Sequence, residues 1–216
     1  MAVDEILMDL TLGLLIASMV LIVYHWKDIP DTFRYLGLYL GWNLLVELAV
    51  LLLPAGTNNL PLLHLYTLLE FILFSLVYKK MGLFGRWPDR LFWFFIIGIS
   101  LLIVVNSLLI QDVFSYNSYA KTLVQLLLIA YAVGFIFQIR PQDEVTLAQN
   151  WMNSSILIYY SGSLFLFMFG DFFSYEMAPL WIINVVLNFV SRLLILISIW
   201  KASRIRKSPF SSFPES

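Results

Sequence analysis

Long apolar stretches of this 216-residue chain contain the ionisable side chains of Glu47, His64, Glu70 and Arg192. Inside a membrane such groups are costly unless they face protein or water and find a partner. In membrane proteins they mark ligand sites, ion pathways or proton relays. We therefore expect all four to face one enclosed space, with the guanidinium of Arg192 paired to Glu70 or Glu47.

Further polar residues recur at helical spacing around these groups. Asn43 and Glu47 are four residues apart, and Asn184, Asn188 and Arg192 repeat the same interval, so each set shares one helix face. The competing interpretation is that the asparagines only form hydrogen bonds between helices. The predicted ligand pocket comprises Asn43, Glu47, His64, Glu70, Tyr159, Asn184, Asn188 and Arg192.

The composition indicates an integral membrane protein. Hydrophobic residues make up 61% of the chain and charged residues 12%, whereas a soluble domain has about 45–50% apolar and about 25% charged residues. The net charge of −1 gives no basis for nucleic-acid binding. Cysteine is absent, which excludes disulfides and thiolate chemistry.

Seven segments are long enough to span a hydrocarbon layer about 30 Å thick. The sequence therefore predicts an all-α membrane protein, a seven-helix bundle forming a single domain over residues 1–216. The short turn at 54–61 makes the second and third helices antiparallel neighbours. Gly162 is predicted to allow close packing of the sixth helix. The predicted segments are 6–24, 35–53, 62–78, 91–109, 119–138, 153–169 and 178–200.

The distribution of basic residues predicts the orientation. With the N-terminus outside and the C-terminus inside, most Lys and Arg residues flank the inner surface, while Asp4, Glu5 and Asp112 lie outside. Lys121 is an exception and is placed on the outer side. The acidic start, MAVDE, does not resemble a cleavable signal peptide, so the first helix is expected to be retained. The predicted location is the cytoplasmic (inner) membrane of a bacterium.

The positions of the lysines and histidines limit which cofactors the chain could bind. A retinal Schiff base needs a lysine inside a helix, and the last segment has only Lys201 at its inner end, so retinal is not expected. Haem with two histidine ligands is not expected either, because His25 and His64 lie near opposite membrane boundaries. Glu47, His64 and Glu70 offer ligand types that could hold one divalent metal, although their spacing matches no known motif.

Three stretches resemble a family of small, largely uncharacterised bacterial membrane proteins with seven transmembrane helices. The stretches are NNLPLLHLYTLLEF, NSSILIYYSGSLFLF and PLWIINVVLNFVSRLL. Related segments of that family occur beside or fused to sensor histidine kinases, so the resemblance implies the seven-helix fold and a link to sensing. The positions that carry it are Asn43, Glu47, His64, Tyr66, Glu70, Tyr159, Gly162, Asn184 and Asn188.

The predicted function is that of a receptor or sensor. A small ligand or a membrane lipid would bind in a polar pocket open toward the outer face, and the chain would signal to a cytoplasmic partner. A lipid-modifying enzyme centred on Glu47, His64 and Glu70 is the first alternative. A transporter of small solutes, coupled to protons, is the second, although such folds usually carry repeats or broken helices that are not evident here.

Overall fold

The computed structural model describes residues 3–54, 57–138, 143–168 and 181–205. Over these ranges the chain is all helical and without strands, and it forms the seven helices that the sequence predicts. A π-helical turn, Asn106–Ile110, continues the fourth helix. The helices are α1 (Val3–Tyr24), α2 (Asp31–Leu52), α3 (Leu60–Lys80), α4 (Asp89–Val105), α5 (Ser118–Ile136), α6 (Glu144–Met168) and α7 (Trp181–Ser203).

The largest difference from the predicted boundaries is at the start of α6, which begins at Glu144 and not at residue 153. The first turns of α6 are polar, so a search for apolar segments does not include them in the helix. Asp143 stabilises them, because its Oδ1 accepts a 2.7 Å hydrogen bond from the backbone N–H of Thr146. This backbone hydrogen bond also lowers the pKa of the Asp143 carboxyl. The predicted end of this helix at 169 and the predicted start of the next at 178 lie outside the described residues.

Membrane-spanning character is clear for most of the bundle. In the part of the chain that the structure describes, six helices are long and apolar enough to cross a membrane. The helix that falls short is α6, whose apolar sequence is interrupted by Gln149, Asn153 and Ser155. All three of these side chains are buried, so these polar positions of α6 face protein. The six apolar helices indicate a multi-pass membrane protein.

Six helices form a ring, in the order α1, α2, α3, α5, α6 and α7, and α7 closes the ring against α1. The predicted pairing of α2 with α3 is confirmed. The remaining helix, α4, packs chiefly on α3, and its outward face exposes Phe94, Ile97 and Leu101. In a membrane protein such an apolar face suits contact with lipid.

Helix α7 packs closely on α6 at Gly162, in line with the predicted role of this residue. A Cβ atom added there would lie 2.8 Å from Leu187 Cδ1, closer than real side chains approach one another. The absence of a side chain at Gly162 therefore lets Leu187 pack directly on the α6 backbone.

Contacts between helix ends identify one end of the bundle, which we call the basic end. Lys80 Nζ, at the end of α3, lies 3.6 Å from Asp31 Oδ2 at the start of α2. The side chain of Gln138, just after α5, donates to the backbone carbonyl of Leu83 in the connection between α3 and α4. Four cations at this end lie over aromatic rings, in the pairs Lys79–Phe92, Lys80–Tyr35, Lys201–Trp151 and Arg204–Trp200.

Candidate functional site

A cavity of about 250 Å³ lies inside the ring, between α2, α3, α5, α6 and α7. We call it the central cavity. Five of the eight residues predicted for a ligand pocket line it: Asn43, Glu47, Tyr159, Asn188 and Arg192. That they bind a ligand stays a prediction. The other lining residues are Tyr39, Val46, Leu63, Tyr66, Phe74, Lys121, Ile156, Tyr160, Phe167, Ser191 and Ile195.

The strongest electrostatic contact near the cavity is an ion pair between Glu70 of α3 and Lys121 of α5. Lys121 Nζ lies 2.6 Å from Glu70 Oε2, and neither residue is more than 1% exposed. The second carboxylate oxygen, Glu70 Oε1, accepts a 2.8 Å hydrogen bond from the hydroxyl of Tyr160 on α6. One buried carboxylate therefore connects three helices.

Aromatic rings complete the surroundings of Lys121. Its Nζ lies 4.9 Å from the ring centre of Tyr66, 5.2 Å from that of Phe167 and 5.9 Å from that of Tyr160. Ring faces attract a cation, and they do so more strongly when water is excluded. The rings and Glu70 together stabilise a charged lysine at a buried position.

The predicted pairing of Arg192 with an acid is wrong. Glu70 is already bound to Lys121, which extends from α5 and was placed on the outer side by its position in the sequence. Arg192 instead donates from Nη2 to Asn43 Oδ1 at 2.7 Å. Its Nη1 is buried and has no hydrogen-bond partner among the described residues. Arg192 itself is only 5% exposed and lines the central cavity.

Asn43 links the two charged parts of the site. Its Oδ1 accepts hydrogen bonds from Arg192 and from the hydroxyl of Tyr66, the latter at 3.1 Å. Its Nδ2 donates to the backbone carbonyl of Tyr39 at 2.8 Å. The Tyr39 and Tyr66 hydroxyls lie 3.2 Å apart. With both of its amide groups bonded, Asn43 fixes the position of the Arg192 guanidinium.

Glu47 lies between the central cavity and a second one. The second cavity, of about 430 Å³, lies between α1, α2 and α7, and we call it the lateral cavity. The two cavities share Val46, Glu47 and Asn188 as lining residues. Asn184, also predicted for the pocket, lines the lateral cavity together with Asp9.

His64 is buried apart from the residues that line either cavity. Its Nδ1 lies 2.8 Å from Ser107 Oγ in the π-helical turn, and its Nε2 lies 3.2 Å from the backbone oxygen of Ser115. These contacts join the start of α3 to the connection between α4 and α5. In the described ranges the structure brings no three His, Asp or Glu side chains together as metal ligands, and Glu47, His64 and Glu70 have separate surroundings.

Lys121, Tyr66 and Tyr160 belong to the site but were not predicted as pocket residues. The sequence contained one signal for Lys121, which is four residues before Gln125 and so shares its helix face. Gln125 is completely buried, so this face of α5 points into the bundle. Tyr160 is adjacent to the predicted Tyr159, and only the rotation of α6 determines which hydroxyl reaches Glu70.

The geometry is that of a partly open cavity in which polar and charged side chains stand among apolar ones. One buried acid and lysine form an ion pair, and a second cation, Arg192, lies beside the cavity with an Nη1 that has no hydrogen-bond partner in the part of the chain that the structure describes. Comparison with protein-family models, with curated proteins and with solved structures gives no match for this chain.

Proposed function

We propose that the chain is a receptor or sensor of the membrane, which binds a small ligand or a lipid in the central cavity and signals to a partner at the basic end. The observation that supports it is the free Nη1 of Arg192. A buried donor without an acceptor costs about 1–3 kcal/mol, and more when it is charged. A ligand that supplies the acceptor recovers this energy.

The size and connections of the cavity fit a small ligand or the polar part of a lipid. Ligand pockets usually have volumes of about 300–1,000 Å³, and the central cavity, at about 250 Å³, lies just below this range. The lateral cavity adds about 430 Å³ next to it, lined largely by apolar side chains such as Leu12, Val50 and Leu51. Together the two cavities can accept a polar group in the interior and an apolar group beside it.

The proposed arrangement in the membrane makes α6 the seventh spanning helix. The N-terminus of α1 lies outside, and the basic end lies at the cytoplasmic face of a bacterial inner membrane. Positively charged residues near spanning helices favour the cytoplasmic side. The described residues that support this orientation are Lys27, Arg34, Lys79, Lys80, Arg86, Arg90, Lys201 and Arg204.

The route of a signal follows from the course of α7. This helix carries Arg192 at the cavity and continues to Lys201 and Arg204 at the basic end. A ligand that changes the position of the guanidinium acts on a helix whose end is available to a cytoplasmic partner. The contacts of Gly162 with Leu187 couple α6 to the same movement.

Ligand binding can be tested by filling the cavity. Asn188→Trp introduces an indole into the central cavity, and Ile97→Trp, on the exposed face of α4, is the matched control. We expect native mass spectrometry of the purified protein to show a bound molecule in the wild type and in Ile97→Trp but not in Asn188→Trp. Identical bound species in all three proteins would exclude the central cavity as the binding site.

Transmission can be tested with spin labels, because the chain has no native cysteine. Lys80 and Arg204 are both exposed at the basic end, so Lys80→Cys and Arg204→Cys report the distance between α3 and α7. We expect this distance to differ between the protein with its bound molecule and the Asn188→Trp protein, which does not bind it. Equal distance distributions would contradict the sensor mechanism. They would not bear on ligand binding, which the mass-spectrometry experiment tests separately.

A further inference from the structure

We infer that the central cavity takes a singly charged organic anion, a carboxylate, with its oxygens on the guanidinium of Arg192. The inference deepens the proposed function, on which it rests, by naming the chemical class of the ligand. The carboxylate comes either from a free small acid or from the head group of an amphiphile.

The charged residues around the cavity indicate the sign and the size of the ligand's charge. Lys121 is neutralised by Glu70 at 2.6 Å and offers no further positive charge. Arg192 lines the cavity and forms no ion pair with the acids of the described residues, so its guanidinium has no direct counter-ion there, although Glu47 lines the same cavity beyond ion-pair distance. One positive charge matches a monocarboxylate better than a phosphate, which carries close to two negative charges at neutral pH.

The donor geometry favours a carboxylate over a neutral acceptor. A guanidinium presents its N–H groups in a planar fork that binds the two oxygens of a carboxylate together. Asn43 holds Nη2 in place at 2.7 Å and leaves Nη1 without an acceptor. Tyr159 lines the same cavity, so its hydroxyl is available as a second donor to an oxygen of the ligand.

The two sources of the carboxylate differ in whether the ligand would also occupy the lateral cavity. This cavity adjoins the central cavity across Val46, Glu47 and Asn188, so a longer ligand that moves these side chains would extend into it. An amphiphile would place its alkyl chain there, beside Leu12 and Leu51. A free small acid would use the central cavity alone.

Substitution of Glu47 provides a second test, in which the expected effect on anion binding has the opposite sign. The Glu47 carboxyl lines both cavities and is half-buried, so an anion on Arg192 meets a nearby like charge. Removing that charge with Glu47→Gln should strengthen anion binding, whereas removing the guanidinium should weaken it. A residue that only supports the fold would not give effects of opposite sign.

The experiment measures binding of acetate, butyrate, octanoate and laurate to the full chain in phosphatidylcholine nanodiscs by calorimetry. The neutral amides of the same lengths are the control ligands. We expect Arg192→Gln to weaken carboxylate binding about tenfold or more, since a hydrogen bond to a charged group contributes about 1.5–3 kcal/mol. Arg192→Lys, which keeps the charge but loses the fork, should have an intermediate affinity. Arg34→Gln, which removes an exposed cation of the basic end, should leave affinity unchanged.

The outcomes separate the alternatives. Affinity that rises with chain length assigns the carboxylate to an amphiphile, and affinity that is highest for acetate or butyrate assigns it to a free acid. Equal binding of acids and amides, or carboxylate binding unchanged in Arg192→Gln, overturns the inference. If Arg192→Gln does not fold, Arg192→Lys and Glu47→Gln supply the comparison. If no carboxylate binds while the Asn188→Trp test still shows a cavity ligand, the anion inference fails and the proposed function stands.

Discussion

The buried pair of Lys121 and Glu70 allows a quantitative test of what holds the interior together. The two charged atoms are 2.6 Å apart, and both side chains are almost completely shielded from solvent. At an effective dielectric constant of about 20, unit charges at this separation attract by roughly 6 kcal/mol. The desolvation of both groups offsets a large part of this attraction.

Removing one partner should therefore be far more damaging than removing both. We expect Lys121→Met to lower the free energy of unfolding by about 3–5 kcal/mol, because Glu70 is then a buried charge without a counter-ion. Glu70→Gln should cost a similar amount, since Lys121 is then the unpaired charge. The double variant leaves no charge at the site and should be more stable than either single variant.

The assay is reversible unfolding of the four purified proteins in detergent micelles by added denaturing surfactant. Lys79→Met is the matched control, because Lys79 and Asp89 form a pair of similar length, 2.8 Å, in which Asp89 is largely exposed. Exposed pairs contribute little to stability, so this variant should unfold like the wild type. If the double variant loses the sum of the two single losses, the charges do not interact, and our account of the interior is wrong.

Two further predictions concern helix packing and the end opposite the basic end. Gly162→Ala should lower the free energy of unfolding by about 1–3 kcal/mol, because the new methyl group would overlap Leu187. Gly98→Ala is the control, because the space around Gly98 is open and the substitution should not destabilise the fold. Thermal unfolding of both variants tests this prediction, and equal effects would contradict it. His64→Ala should speed hydrogen exchange in residues 106–118, because the imidazole contacts Ser107 and the backbone of Ser115, and an unchanged exchange pattern would show that these contacts do not order the segment.

The helices could be predicted because the length of each apolar segment can be read directly from the sequence. A segment of about 20 apolar residues predicts a membrane-spanning helix whatever it packs against. The shared faces of Asn43 with Glu47, and of Asn188 with Arg192, follow from four-residue spacing alone. The structure places all four of these residues along one cavity.

The partners of the charged groups could not be predicted because they depend on the relative height and rotation of helices. Lys121 is only the fourth residue of α5, so the sequence suggested a position at the membrane surface. Its long side chain and the neighbouring position of α3 bring it to Glu70 instead. Adjacent residues on a helix differ by about 100° in direction, so the sequence could not distinguish Tyr160 from Tyr159.

The cation–ring pairs at the basic end also bear on how the bundle fits its bilayer. Arg204 lies 3.9 Å from the ring centre of Trp200, and Lys79 lies 4.4 Å from that of Phe92. Aromatic and basic side chains both favour the head-group layer, so such pairs hold their helix ends at one depth. In a thicker or thinner bilayer we expect these anchored ends to stay at their interface and the mismatch to fall at the opposite end, where His64 of α3 contacts the π-helical turn.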